Sequence, residues 1–158
     1  MIHWLHCKDG DPRALALYLR HYSARHYKDG RRRRLFVGPG EKLVLLTVDC
    51  TALFVWRKFL SMDNQVGVNC AVFRNEGPIL SSTLITEACA IAWAKWPNER
   101  LYTYVNDSKI KSPNAGYCFK AAGWNTCGRN KTGKLSILEI RPPATLTPPQ
   151  RCATLPLP

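Results

Sequence analysis

VGVNCAVFRNEGPILSSTLITEACAIAWAKWPNERLYTYV, residues 66–105, carries the reading on which the fold turns. Val66 to Phe73 is an apolar run of strand length. Arg74 to Ser82 is polar, with Gly77-Pro78 breaking regular structure in its middle. From Ser82 to Trp96 the apolar residues Leu84, Ala88, Ile91 and Ala92 recur at helical spacing, and Pro97 closes the helix. Arg100 to Val105 is a second strand. Two strands joined through a helix imply a parallel pair, because the crossover returns the chain to the same end of the sheet.

Upstream, Lys42 to Val48 and Ala52 to Phe59 read as strands. The turns around Asp49-Cys50-Thr51 and Asp63-Asn64 are so short that these strands and Val66–Phe73 must run antiparallel. Asp11-Pro12 starts a helix, with Asp as cap and Pro in the first turn. Leu15, Leu17, Tyr18 and Tyr22 fall near one face, and the helix is expected to reach about His26. Lys28-Asp29-Gly30 stops it, Arg31, Arg32, Arg33 and Arg34 follow, and Phe36 to Gly40 is a turn-rich connector. Downstream, Ser112-Pro113-Asn114 precedes a short helix ending at Gly123, and Lys134 to Ile140 is a last strand. The fold class is α/β: a mixed sheet with antiparallel N-terminal strands, a parallel pair in the second half and helices on both faces. Residues 1–140 are expected to form one domain, and the Pro-rich stretch 141–158 an extended or disordered arm.

Twenty-three Lys and Arg against eleven Asp and Glu leave a formal charge of +12, which attracts polyanions and makes nucleic acid the expected partner. Seven cysteines without a Cys-x-x-Cys pair read as thiols in a reducing compartment. His3, His6 and Cys7 match no standard metal spacing, so no metal is expected. Without a membrane-length apolar run or a signal-peptide pattern, no membrane association is expected and a cytoplasmic location is the default.

The order of elements over residues 11–140 resembles the GNAT (Gcn5-related N-acetyltransferase) superfamily. In that family the loop after the corresponding strand reads Gln/Arg-x-x-Gly-x-Gly/Ala and cradles the pyrophosphate of acyl-CoA at a helix N-terminus. Arg74-Asn75-Glu76-Gly77-Pro78-Ile79 supplies the Arg and the first Gly, with Ile79 in place of the last small residue. The stretch Asn114 to Trp124 is similar to the family's closing Asn…Ala…Phe-Tyr-Glu-Lys-x-Gly-Phe segment, and Phe119 stands where the family often has an acid tyrosine. The serines of Leu80-Ser81-Ser82, with Gly116, Phe119, Ala121, Gly123, Trp124 and Gly128, look like phage GNAT relatives of the Mom type. Those proteins place a carbamoylmethyl group on the adenine amine of phage DNA and so protect it from restriction.

The resemblance implies a transferase acting on a nucleobase amine in DNA, in the host cytoplasm if phage-encoded, with acyl-CoA or another activated donor. Phe73, Arg74, Asn75, Gly77, Ser81 and Ser82 would hold the donor. Ser81, Ser82, Tyr104, Asn114, Tyr117 and the base candidate His21 would serve the reaction. An extruded base needs aromatic walls, for which Trp56, Tyr102, Tyr104 and Trp124 are candidates, and edge contacts, for which Asn75, Asn106 and Asn114 are candidates. Phosphate contacts fall to Arg31–Arg34, Arg57, Lys58, Lys109, Lys111, Lys120, Arg129 and Lys131, with Trp56 beside them. Two alternatives stand beside this reading: a conventional acyl-CoA N-acyltransferase acting on a small molecule, peptide or transfer RNA, and a nucleic-acid-binding module without catalysis.

Overall fold

The computed structural model describes residues 2–31, 33–110 and 114–143. Arg32, Lys111 and the Pro-rich stretch from residue 144 onward lie outside the described residues. The chain is α/β. Among the described residues seven strands form one mixed sheet, and three α-helices cover it. The strands are β1 (Trp4–Cys7), β2 (Glu41–Thr47), β3 (Ala52–Lys58), β4 (Val68–Asn75), β5 (Leu101–Val105), β6 (Asn125–Arg129) and β7 (Ser136–Ile140). The helices are α1 (Pro12–Leu19), α2 (Ser81–Lys95) and α3 (Tyr117–Ala121). The sheet order is β1-β2-β3-β4-β5-β7-β6. All neighbours are antiparallel except β4 and β5, which are parallel as the crossover required.

Strand alternation divides the core into two layers. Leu43, Leu45, Phe54 and Trp56 face α2 and α3, while Val44, Leu46, Leu53 and Val55 face Leu17 and Tyr18 of α1. A bulge in β4 breaks the alternation: Val72 pairs with Val55 and Cys70 with Trp56, so Ala71 has no partner. The extra residue puts both Cys70 and Phe73 on the α2 side. α2 buries Leu84, Ile85, Ala88, Cys89 and Ala92. α3 stops at Ala121, and the chain leaves it through Gly123 at a φ of 95°, where the Gly123 N–H reaches the Lys120 carbonyl and the Trp124 N–H reaches Phe119.

Three expectations are corrected. α1 stops at Leu19 and does not reach His26. Beyond it the Ser23 N–H donates to His21 Nδ1 and the Arg25 N–H donates to the Tyr18 hydroxyl, so side chains take the donors a helix would have used. β1 has no counterpart among the expected strands. It holds on through Trp4, whose indole N–H donates to the Leu84 carbonyl at 2.9 Å. β6 has no strand pattern either, because it exposes every residue, and only its pairing with β7 makes it a strand.

Candidate functional site

β4 and β5 are paired only where Val68–Cys70 meet Leu101–Thr103. Beyond that they diverge. The Thr103 hydroxyl donates to the Cys70 carbonyl at 3.0 Å, which satisfies a backbone acceptor just where the ladder ends. The gap is a cleft of about 600 Å³ at the carboxyl ends of the two strands. That is where open α/β sheets commonly take ligands, and the volume suits a small molecule or an extruded base. Its walls come from five separate segments: the turn His21–Ser23, β4, β5 with Asn106, Lys109 and Ile110, α3 with Asn114 and Gly116, and Leu135 ahead of β7.

The turn after α1 supplies His21, Tyr22 and Ser23. His21 and Tyr22 stack with centroids 4.4 Å apart. His21 Nδ1 accepts the Ser23 N–H at 3.2 Å and lies 2.7 Å from Ser23 Oγ, so the ring proton belongs on Nε2, beside the Phe73 backbone. Burial lowers the His21 pKa to about 4, helped by the Arg74 cation and opposed by the Phe73 carbonyl. The imidazole is therefore neutral at pH 7. The pKa in the fold lies below that of the unfolded chain, so its stabilising contribution is complete above pH 6.5 and drains away as pH falls toward 4. His21→Gln is expected to remove roughly 2–3 kcal/mol of that pH dependence, read as the difference between urea titrations of the two proteins across this window. Identical pH profiles would contradict it.

Tyr104 lines the cleft from β5, but its hydroxyl donates to Asp63 Oδ1 at 2.6 Å. Burial and this bond hold the Tyr104 phenol above its ordinary range. Burial works to raise the Asp63 carboxyl, and hydrogen bonds from Tyr104 and Ser61 outweigh it, leaving it below its usual value. Tyr102 is buried on the same strand face and meets Tyr104 edge to face. Asn106 and Lys109 border the cleft beyond β5. From the other side, Tyr117 presents an exposed ring and Asn114 accepts a hydrogen bond from Lys120 Nζ at 3.0 Å. The floor carries a residue that the sequence pattern alone did not single out. Asn69 Oδ1 is buried and has no hydrogen-bond partner among the described residues. A polar residue inside the apolar strand Val68–Val72 was the signal that could have found it.

The loop from Arg74 to Ser82 leads into α2 and forms a separate unit, joined to the cleft through Phe73. Asn75 clamps it: Nδ2 donates to the Ile79 carbonyl at 2.7 Å and to Ser81 Oγ at 3.0 Å, and Oδ1 accepts the Gly77 N–H. Leu80 is the N-cap of α2 and no side chain caps it, so neither Ser81 nor Ser82 plays the capping part. Arg74 and Arg20 both bond the Glu76 carboxylate, and they pull its pKa down to about 2.

Trp56 cannot contact nucleic acid, contrary to expectation. It is 0% exposed, its indole donates to the Ala88 carbonyl at 3.0 Å, and it stacks on Trp124 at 6.3 Å. Trp124 is equally unavailable as a base platform, being buried against Phe119. The expected cations are scattered. Lys58 is paired with Glu99, Arg129 with Asp107 and Arg31 with Asp29. Arg34 and Lys131 are exposed, Lys109 and Lys120 stand near the cleft, and Arg33 and Arg57 line a second cavity. No group of three His, Cys, Asp or Glu is placed to hold a metal ion, and no helix is long and apolar enough to cross a membrane, among the described residues. Neither protein-family models, nor curated proteins, nor solved structures give a match to this chain.

Proposed function

We propose that this chain is a GNAT-like transferase that modifies an exocyclic amine of a DNA base, with adenine as the favoured target. One observation carries the proposal most directly: an apolar-walled cleft of about 600 Å³ is lined by Asn69, whose amide oxygen is unpartnered among the described residues. An amide offers a donor and an acceptor side by side, the pair that an adenine edge complements. Tyr22 and Tyr117 are partly exposed aromatic rings at the walls, suited to sandwiching an extruded base.

The GNAT resemblance is supported by antiparallel β1–β4, a parallel β4–β5 pair that parts, and the loop and helix following β4. The donor is best sought outside the acyl-CoA class. Pro78 has no N–H, and the Gly77 N–H is already bonded to Asn75, so this loop offers few free amides for a pyrophosphate. Phe119 packs edge-on to Phe73 and Trp124, so that position contributes no acid. With its Nδ1 occupied and its ring neutral, His21 suits a positioning role, tying the Tyr22 turn to β4. The amine nitrogen would attack the activated carbon of the donor, expelling its leaving group and then losing a proton.

DNA from cells expressing the protein should yield a nucleoside of increased mass after enzymatic digestion, and liquid chromatography with mass spectrometry would detect it. Digests identical to those of control cells would remove the proposal. Acetyl-CoA binding by calorimetry, combined with unaltered DNA, would favour conventional acyl transfer instead.

A further inference from the structure

We propose that a cavity lined by Arg25, Arg33 and Arg57 binds a backbone phosphate of a nucleic-acid strand. The cavity has a volume of about 420 Å³ and lies on the α1 side of the sheet, between the turn after α1, the connector Phe36–Pro39 and β3–β4. Among the described residues no Asp or Glu lines it. Most other arginines of the fold, including Arg13, Arg20, Arg74, Arg100 and Arg129, are paired with carboxylates. None of these three has an ion pair among the described residues. Arg33 Nε is buried with no hydrogen-bond partner among the described residues. Arg57 Nε donates to the Pro39 carbonyl at 2.7 Å and its guanidinium lies over Phe59, which fixes the plane and leaves the terminal nitrogens free of that bond. Gly38 keeps this guanidinium uncovered, since a Cβ there would meet it at 3.4 Å.

Three like charges around one cavity repel each other, and a buried donor without an acceptor is costly. A phosphate answers both costs, because it offers several acceptor oxygens and at least one negative charge to planar guanidinium forks. The position of the cavity names the source of the phosphate. It shares Ser23, Ala71 and Val72 with the β4–β5 cleft, and Arg57 is the cross-strand partner of Asn69. A nucleotide with its base in the cleft would bring a phosphate to the arginines. This last step rests on the proposed function; the anion site itself does not.

Fluorescence anisotropy with a labelled single-stranded oligodeoxynucleotide tests the site. Arg33→Gln and Arg25→Gln should each bind about ten- to a hundredfold more weakly than wild type, the scale of a lost charge-assisted hydrogen bond. Arg33→Lys, which keeps the charge and loses the fork, should fall between. Lys95→Gln, with the same charge change at the end of α2, should bind like wild type. Arg33→Gln binding within twofold of wild type would overturn the site, and so would an equal loss in Lys95→Gln. Inorganic phosphate binding wild type as tightly as the strand does would overturn the strand as ligand. Nucleoside mass spectrometry separates the two readings: weakened variants of a protein that alters no base leave the phosphate site standing and the transferase reading fallen. Unweakened variants of a protein that does alter DNA mean the reverse.

Discussion

Trp56→Ala should lower the stability of the fold by about 3–5 kcal/mol, the range for removing a fully buried large aromatic side chain. Trp56 touches both halves of the molecule. Its ring packs on Phe54 within the sheet and stacks on Trp124 beyond α3, and its indole N–H satisfies the Ala88 carbonyl of α2. Truncation leaves a cavity at the joint between sheet and helices and removes a buried hydrogen bond. The midpoint of thermal unfolding should drop by about 10 °C, since each kcal/mol shifts a domain of this size by a few degrees. Trp56→Phe should lose less, because it keeps most of the packing and loses the N–H. A base-stacking Trp56 would give the opposite pattern: an unchanged melting curve with weakened DNA binding.

Trp56 also shows where residue type stops being informative. An aromatic in a strand has the same alphabet whether it packs under a helix or stacks on a base, and only its side of the sheet decides. That side depends on register, and the bulge at Ala71 changes register within a single strand. The elements that read clearly were those with a strong period and hard stops. α2 has a helical apolar stripe and Pro97, and β2 and β3 are joined by a turn too short for anything but a hairpin. β1 and β6 did not read as strands, because one is four residues long and the other has no buried face. The cleft was only partly legible. His21, Tyr104, Asn114 and Tyr117 each carry a chemical signal and line one cleft, yet His21 comes from a segment more than eighty residues before the other three. Their meeting depends on the divergence of β4 and β5, which no local pattern announces. The arginine cavity was hidden for the same reason. Arg33 and Arg57 have the sequence context of surface charge, and nothing marks Arg25 until the turn after α1 places it beside them.

Asn69→Leu should separate function from stability more sharply than any other single change. A buried polar atom with no partner costs about 1–3 kcal/mol, so an apolar side chain of similar size should leave the fold as stable as wild type or raise its stability by about 1 kcal/mol. On the proposed function, catalytic efficiency toward DNA should move the other way. Losing an amide that pairs with a base edge costs about 1–3 kcal/mol of discrimination, or roughly ten- to a hundredfold in kcat/KM. Opposite signs are the diagnostic, since natural sequences keep a destabilising group where a ligand completes its bonding. Urea unfolding and the rate of adduct formation on a defined oligonucleotide measure the two arms. Stability and rate falling together would make Asn69 a structural residue of β4. An unchanged rate with raised stability would mean that the base is read elsewhere, with Asn106 and Asn114 at the cleft wall as the next residues to replace. The unsatisfied amide oxygen of Asn69 therefore makes the cleft testable whichever donor it takes, because the stability arm involves no donor at all.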